Sequence, residues 1–283
     1  MLNRVALCAL LAACWLDQAP ARAQAPAGTE VVEFQSGGQR GALIKGYLRR
    51  PTGVAKAPLV VALHGCGGLL NRRGEMGERE RDWAARFVAA GYAVLHPDSF
   101  NPRGFREICT LKLGVRNVRP RDRAEDAAAA IAWAASQPFI DAERIAVIGW
   151  SHGGSSTLWT ADQGNAAAPR LKAAIAFYPG CRVPLETASW APGAPLTILM
   201  GDADDWTPPA PCRDLVAKHP TIRYVEYPGA VHGFDAPNAP VRTRTDVGST
   251  RDGTAKVGTD PKARAAAITE VMQVLVAAFK QER

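Results

Sequence analysis

The sequence predicts an α/β architecture: a mostly parallel central sheet of about eight strands flanked by helices. Three observations carry this. Strand-like and helix-like segments alternate along most of the chain. Several strand-like runs are continuously apolar, as expected of strands covered on both faces. The helical segments between them are long enough to return the chain for a parallel neighbour. The 283 residues, 47% of them hydrophobic, suffice for one large domain with a substantial core. No repeat or linker is visible, so residues 24–283 are expected to form one domain.

Residues 1–23 stand apart. Arg4 precedes an apolar run over 5–16, and Ala21-Arg22-Ala23 forms a small-x-small site before Gln24, the pattern of a secretory signal peptide. Leu11-Ala12-Ala13-Cys14 is a competing pattern, that of a lipoprotein lipidated at Cys14. The apolar run ahead of Cys14 is short for that, and soluble export to the periplasm or medium is preferred. Pro20 and Pro26 argue against a core helix here. No stretch of 18 or more apolar residues follows, so no membrane span is expected.

Residues 31–34 and 43–48 read as early strands, and 59–63 (LVVAL) as a buried one. A helix over 83–90 stops at Gly91, and 93–96 is the next strand. A helix over 122–135 is followed by Pro138. The run 145–148 is a buried strand and 151–161 a helix. Strands follow at 173–178 and 196–200, then a helix over 209–218, a strand over 223–227 and a long last helix over 262–280. The segments 98–121 and 235–261 are rich in Pro, Gly, Arg and Thr. Loops of that length are commonly functional.

The chain carries 34 basic and 27 acidic residues; without the leader's Arg4, Arg22 and Asp17 these become 32 and 26, a net of +6. So mild an excess, without interleaved aromatics or a recognition motif, does not describe a nucleic-acid binder. Beyond Cys8 and Cys14 of the leader, Cys66, Cys109, Cys181 and Cys212 remain. An even count in an exported chain suggests disulfides, and four cysteines allow three pairings. None shows the C-x-x-C spacing of a zinc site.

The segment VIGWSHGGS, residues 147–155, places Ser151 between glycines where a buried strand gives way to a helix. Strand, G-x-S-x-G, helix is the signature of a nucleophile on a sharp turn. Gly149 and Gly153 let strand and helix pass closely, and the helix N-terminus directs amide hydrogens at the reacting centre. A serine nucleophile needs a base. His232, in YPGAVHGFD after the last strand, is the best placed of His64, His96, His152, His219 and His232. His219 reads as surface, His96 as a buried strand end, and His64 as a brace for its loop. The orienting acid is sought in GDADDWTPP. Asp204 is the first choice, then Asp205 and Asp202; the others serve as turn or helix-cap residues. His152 supplies one oxyanion-binding amide, and the loop His64-Gly65-Cys66-Gly67-Gly68 the second, at Cys66 with Gly67 as the alternative. A metal held by His64, Cys66 and His232 lacks an acidic partner at a matching spacing.

From LVVALHGCGG through GWSHGG and GDADDWTP to GAVHGFD, the chain resembles the α/β-hydrolase superfamily and, within it, the dienelactone hydrolase family. The resemblance covers most of the mature chain. It implies an α/β-hydrolase fold without a large cap domain and a Ser151–Asp204–His232 triad. It also implies oxyanion donors at Cys66 and His152, no metal and no organic cofactor. The name-giving enzymes carry cysteine at the elbow where this chain has Ser151, and they lack an export leader. The expected activity is therefore that of an exported serine carboxylic-ester hydrolase acting on a small-molecule or polymer ester. A serine peptidase of the same fold is the runner-up, although 283 residues leave no room for its customary extra domain. A non-catalytic binding protein on the same scaffold would show a broken triad. In such a fold the four cysteines lie near the site, implying the pairs Cys66–Cys109 and Cys181–Cys212. Trp150, Trp206 and Phe234 flank the candidate triad and are expected to line the substrate pocket. Arg103 and Arg106 are candidates to meet a substrate carboxylate, with solvated surface as the blander reading.

Overall fold

The structure is a computed structural model and describes residues 28–280, Gln39 excepted. The leader and its candidate lipidation site at Cys14 lie outside the described residues. Eight strands form one sheet: β1 Thr29–Gln35, β2 Leu43–Arg49, β3 Ala57–Leu63, β4 Ala93–Asp98, β5 Ile140–Trp150, β6 Leu171–Phe177, β7 Leu196–Gly201 and β8 Arg223–Tyr227. Their spatial order is β1-β2-β4-β3-β5-β6-β7-β8. β1 pairs antiparallel with β2, and β2 antiparallel with β4. Every pair from β4 through β3 to β8 is parallel.

Burial follows this order. Every residue of β3 and of β7 is buried, as their continuous apolar runs demand of parallel strands covered on both faces. At the antiparallel edge, β2 alternates exposed and buried residues. The helices are α1 Glu78–Ala89, α2 Pro120–Ala135, α3 His152–Thr160, α4 Arg182–Glu186, α5 Ala210–Lys218 and α6 Pro261–Ala278. Pro261 opens α6 without forfeiting a helical hydrogen bond, and Asp260 caps it by accepting from the amide of Ala263 at 2.8 Å.

Several features differ from the sequence reading. β5 begins at Ile140 rather than at residue 145, and α4 has no counterpart in that reading. α1 begins at Glu78 rather than at residue 83, because its first turn is charged and shows no apolar period. The segment 235–261 contains a two-stranded hairpin, β9 Arg242–Arg244 with β10 Ala255–Val257. At three residues each, the two strands are too short for an apolar alternation to reveal them. The ends of β3, β5, β6, β7 and β8 point the same way, so the loops following them gather at one edge of the sheet. In open α/β sheets ligands bind outside the carboxyl ends of the strands, at that edge.

Candidate active site

β5 ends at Trp150 and α3 begins at His152, leaving Ser151 alone at the corner with φ 55° and ψ −116°. A non-glycine residue at such a positive φ costs on the order of 1–3 kcal/mol and persists only where its surroundings enforce it. Here they do. The Ser151 amide donates to the carbonyl of Phe177 at 3.0 Å, and its carbonyl accepts from the amide of Ser155 at 2.8 Å. A Cβ at Gly153 would stand 2.0 Å from the carbonyl oxygen of Leu63, and one at Gly149 2.3 Å from that of Gly153. Strand, turn and helix can pass this closely only with glycine at both positions.

His232 follows β8 and presents Nε2 to Ser151 Oγ at 2.9 Å. Its Nδ1 lies 2.7 Å from Oδ2 of Asp204. All three residues are buried. Asp204 is held on both oxygens. Oδ1 accepts from the amides of Trp206 and Thr207, each at 2.9 Å. Oδ2 lies 3.0 Å from the Thr207 hydroxyl, which is also 3.0 Å from the carbonyl of Tyr178. The other two candidate acids are occupied elsewhere: Asp202 accepts from the amide of Gly229 at 2.6 Å, and Asp205 from that of Lys256 at 2.8 Å. The His232 ring lies between Tyr178 and Trp206, with centroid distances of 4.5 and 4.7 Å.

Cys66 lies on the loop after β3. Among the described residues neither its amide nor that of His152 donates a hydrogen bond. The loop is anchored by the Cys66–Cys109 disulfide and by the Ile108 amide donating to the Cys66 carbonyl at 2.8 Å. A second disulfide joins Cys181, after β6, to Cys212 in α5. With its sulfur in a disulfide, Cys66 offers no thiolate to a metal. The imidazole of His64 donates from Nδ1 to the carbonyl of Gly65 at 2.8 Å. Burial and the nearby Arg123 charge hold it well below the ordinary histidine range. His96 is buried in β4, which pushes it down to about 4. His219 packs on Trp190 at the end of α5, away from the cleft.

A cleft of about 760 Å³ opens over Ser151 and His152. Both long loops supply walls, Leu113 and Arg116 from the first and Ser249, Thr250, Arg251, Asp252 and Thr254 from the second. Trp206 lines it, its Nε1 donating to Ser249 Oγ at 2.9 Å. Trp150 and Phe234 do not. Both are fully buried. Trp150 belongs to the last strand pair before the elbow and stacks on Phe177. Phe234 turns inward after Gly233 (φ 75°) to pack on Phe177 and Tyr227. Arg103 and Arg106 are not on the cleft wall either: Arg103 is tied to Asp126 at 2.8 and 2.9 Å, and Arg106 is exposed.

Sequence reasoning missed several residues that shape the site. Asp235 is buried and accepts from Trp83 Nε1 and Trp150 Nε1, each at 2.8 Å, and from the Tyr178 hydroxyl at 2.5 Å. That hydroxyl ties the ring under His232 to the loop bearing His232. Thr207 was also missed, as was the buried Arg123. For Asp235 the available signal was a carboxylate only three residues after the candidate base, in HGFD.

A sheet of this order, with a serine on a strained turn after its central strand, is the architecture of the α/β-hydrolases. The chain matches the model of the Dienelactone hydrolase family over residues 44–279 and belongs to that family. Membership puts it among the carboxylic-ester hydrolases. It is 38% identical over 133 residues to the quorum-quenching protein AidA of Acinetobacter baumannii, covering 47% of this chain and 39% of that protein. It is 28% identical over 216 residues to a Synechocystis protein provisionally named a carboxymethylenebutenolidase, covering 68% of this chain and 81% of that one. In fold it resembles a provisionally assigned dienelactone hydrolase from Klebsiella pneumoniae, with a TM-score of 0.62 and 21% identity, over 87% of this chain and 99% of that one.

Proposed function

We propose that this chain is an exported serine hydrolase that cleaves carboxylic esters through an acyl-enzyme, with Ser151 as nucleophile, His232 as general base and Asp204 as its orienting acid. The continuous relay from Ser151 Oγ through both nitrogens of His232 to Asp204, with contacts of 2.9 and 2.7 Å, carries this reading.

In the reaction, Ser151 Oγ attacks the ester carbonyl carbon while its proton passes to Nε2 of His232. Asp204 accepts from Nδ1, so Nε2 faces the serine as the free base, and the imidazolium that forms is stabilised. The carbonyl oxygen gains negative charge and is received by the amides of Cys66 and His152, each such donor being worth about 3–4 kcal/mol in the transition state. Collapse of the tetrahedral intermediate expels the alcohol, which takes the proton from His232 and leaves Ser151 acylated. Water, deprotonated by His232, then attacks the acyl carbonyl, releasing the acid and restoring Ser151.

The cleft of about 760 Å³, with Trp206 and Leu113 on its walls, has the capacity for a drug-sized or larger ester, either a small molecule or a segment of a polymer. The two disulfides suit an oxidising compartment, in keeping with export to the periplasm or medium. Among the described residues no helix is long and apolar enough to cross a membrane.

The test is hydrolysis of p-nitrophenyl esters of graded chain length by wild type and Ser151→Ala, with fluorophosphonate labelling of each. Ester turnover and labelling that both vanish in the variant support the reading. A protein that cleaves peptides but no ester, or one that is inert and unlabelled, overturns it.

A further inference from the structure

Behind the elbow lies a charge that the proposed mechanism does not use. Arg123, from α2, is fully buried. Its hydrogen bond among the described residues runs from Nη1 to Nδ1 of His152, at 3.0 Å; its Nε and Nη2 have no partner. Both buried carboxylates nearby are committed to other donors. Asp126 is taken by Arg103 and by the Ser36 hydroxyl at 2.5 Å. Asp98 accepts from the amides of Phe100 and Asn101 and from the Asn101 side chain. The guanidinium instead lies 5.0 Å over the Phe100 ring, whose edge-to-face partners are His64 at 4.6 Å and His152 at 5.9 Å.

A guanidinium can only donate, so Nδ1 of His152, 3.0 Å from Arg123 Nη1, must be the acceptor and the ring proton sits on Nε2. This hydrogen bond holds the side chain in one tautomer. Residue 152 contributes one of the two amides assigned to the oxyanion. His64, also within reach of the Arg123 charge, begins the loop that carries the other.

We propose that Arg123 is a positioning residue: through its hydrogen bond to His152 it fixes the oxyanion-binding amide of residue 152 and sets a buried positive charge behind it. The inference rests on the Ser151 reading above. The Asp126 and Asp98 charges offset only part of the cost of burying this guanidinium, which opposes folding; burial pushes Arg123 down to about 9. A purely structural residue would favour folding. Removing Arg123 should thus move activity and stability in different directions.

The experiment measures kcat and KM for p-nitrophenyl butyrate, together with the thermal midpoint, in wild type, Arg123→Met and Arg123→Lys. The expected result for Arg123→Met is a fall in kcat of about 10-fold or more, KM within about twofold of wild type and a midpoint unchanged or raised. Arg123→Lys, keeping the charge, should recover part of kcat. Unchanged kcat, or kcat and midpoint falling together, overturns the proposal. If Arg123→Met does not fold, His152→Leu carries the test, since it keeps the backbone amide and has no acceptor for the guanidinium: kcat should fall comparably at unchanged KM, and full activity overturns the proposal. Fluorophosphonate labelling of wild type separates the two levels. An unlabelled Ser151 removes the underlying reading, whereas a labelled Ser151 with fully active Arg123→Met removes only the role of Arg123.

Discussion

Ser151 Oγ and His232 Nε2 lie 2.9 Å apart although 81 positions separate them in the chain. The contact exists because the corner after β5 and the loop after β8 open on the same edge of the sheet. If it is the proton-transfer contact, Ser151→Ala should lower kcat on p-nitrophenyl esters by several orders of magnitude, with an unchanged far-ultraviolet circular dichroism spectrum.

The three acids of the loop after β7 should separate cleanly. Asp204→Asn should lower kcat by about 10³–10⁴-fold, because the amide favours the wrong tautomer of His232. Asp202→Asn and Asp205→Asn leave the contact of His232 with Asp204 intact, since those carboxylates accept from the amides of Gly229 and Lys256; although Asp205 also lines the cleft, both variants should stay within a few-fold of wild type. Steady-state kinetics of the three variants checks this. A large loss in Asp205→Asn with little in Asp204→Asn would reassign the acid.

Gly153→Ala should prevent folding or cost more than about 3 kcal/mol, because its Cβ would meet backbone, the Leu63 carbonyl oxygen, at 2.0 Å. Urea unfolding measures it. A variant of wild-type stability would mean that β3 and α3 can separate at the elbow.

Disulfide removal should have two distinct outcomes. The Cys66→Ser/Cys109→Ser variant opens a 43-residue link and the Cys181→Ser/Cys212→Ser variant a 31-residue one. Each should lose about 2–4 kcal/mol of stability. The first should also lose kcat, since it frees the loop bearing the Cys66 amide. Parallel unfolding and kinetic measurements decide whether that extra loss exists.

Acid should destabilise the fold through its buried histidines. His64 and His152 are held well below 6.5 and His96 is pushed down to about 4 by burial. Below about pH 6.5 the unfolded chain takes up protons that the folded one refuses, so stability falls as pH falls, by up to about 1.4 kcal/mol per pH unit for each histidine. The urea midpoint should drop between about pH 7.5 and about pH 5. A flat profile would mean that these histidines protonate without unfolding.

Much of this molecule was written locally. The apolar runs of β3, β5 and β7 name buried parallel strands, because a strand covered on both faces has no polar positions to spare. The elbow was legible for the same reason: an apolar strand, two glycines and a helix are contiguous, and the close approach they permit is a short-range constraint. Burial and partner choice were not legible. Trp150 and Trp206 each sit beside a candidate triad residue in the chain, yet Trp150 fills the core and Trp206 lines the cleft. Neighbouring residues do not report which face of the sheet a side chain will meet. The bond from Arg123 to His152 spans 29 positions and that from Trp83 to Asp235 spans 152. The sequence by itself determined the α/β class, the strand order of the motifs and the positions of Ser151 and His232. Only the tertiary structure decided which aspartate meets the histidine, which tryptophan meets the cleft, and that a buried cation stands behind residue 152. Those outcomes depend on which distant segments pack together, and local periodicity carries no such information.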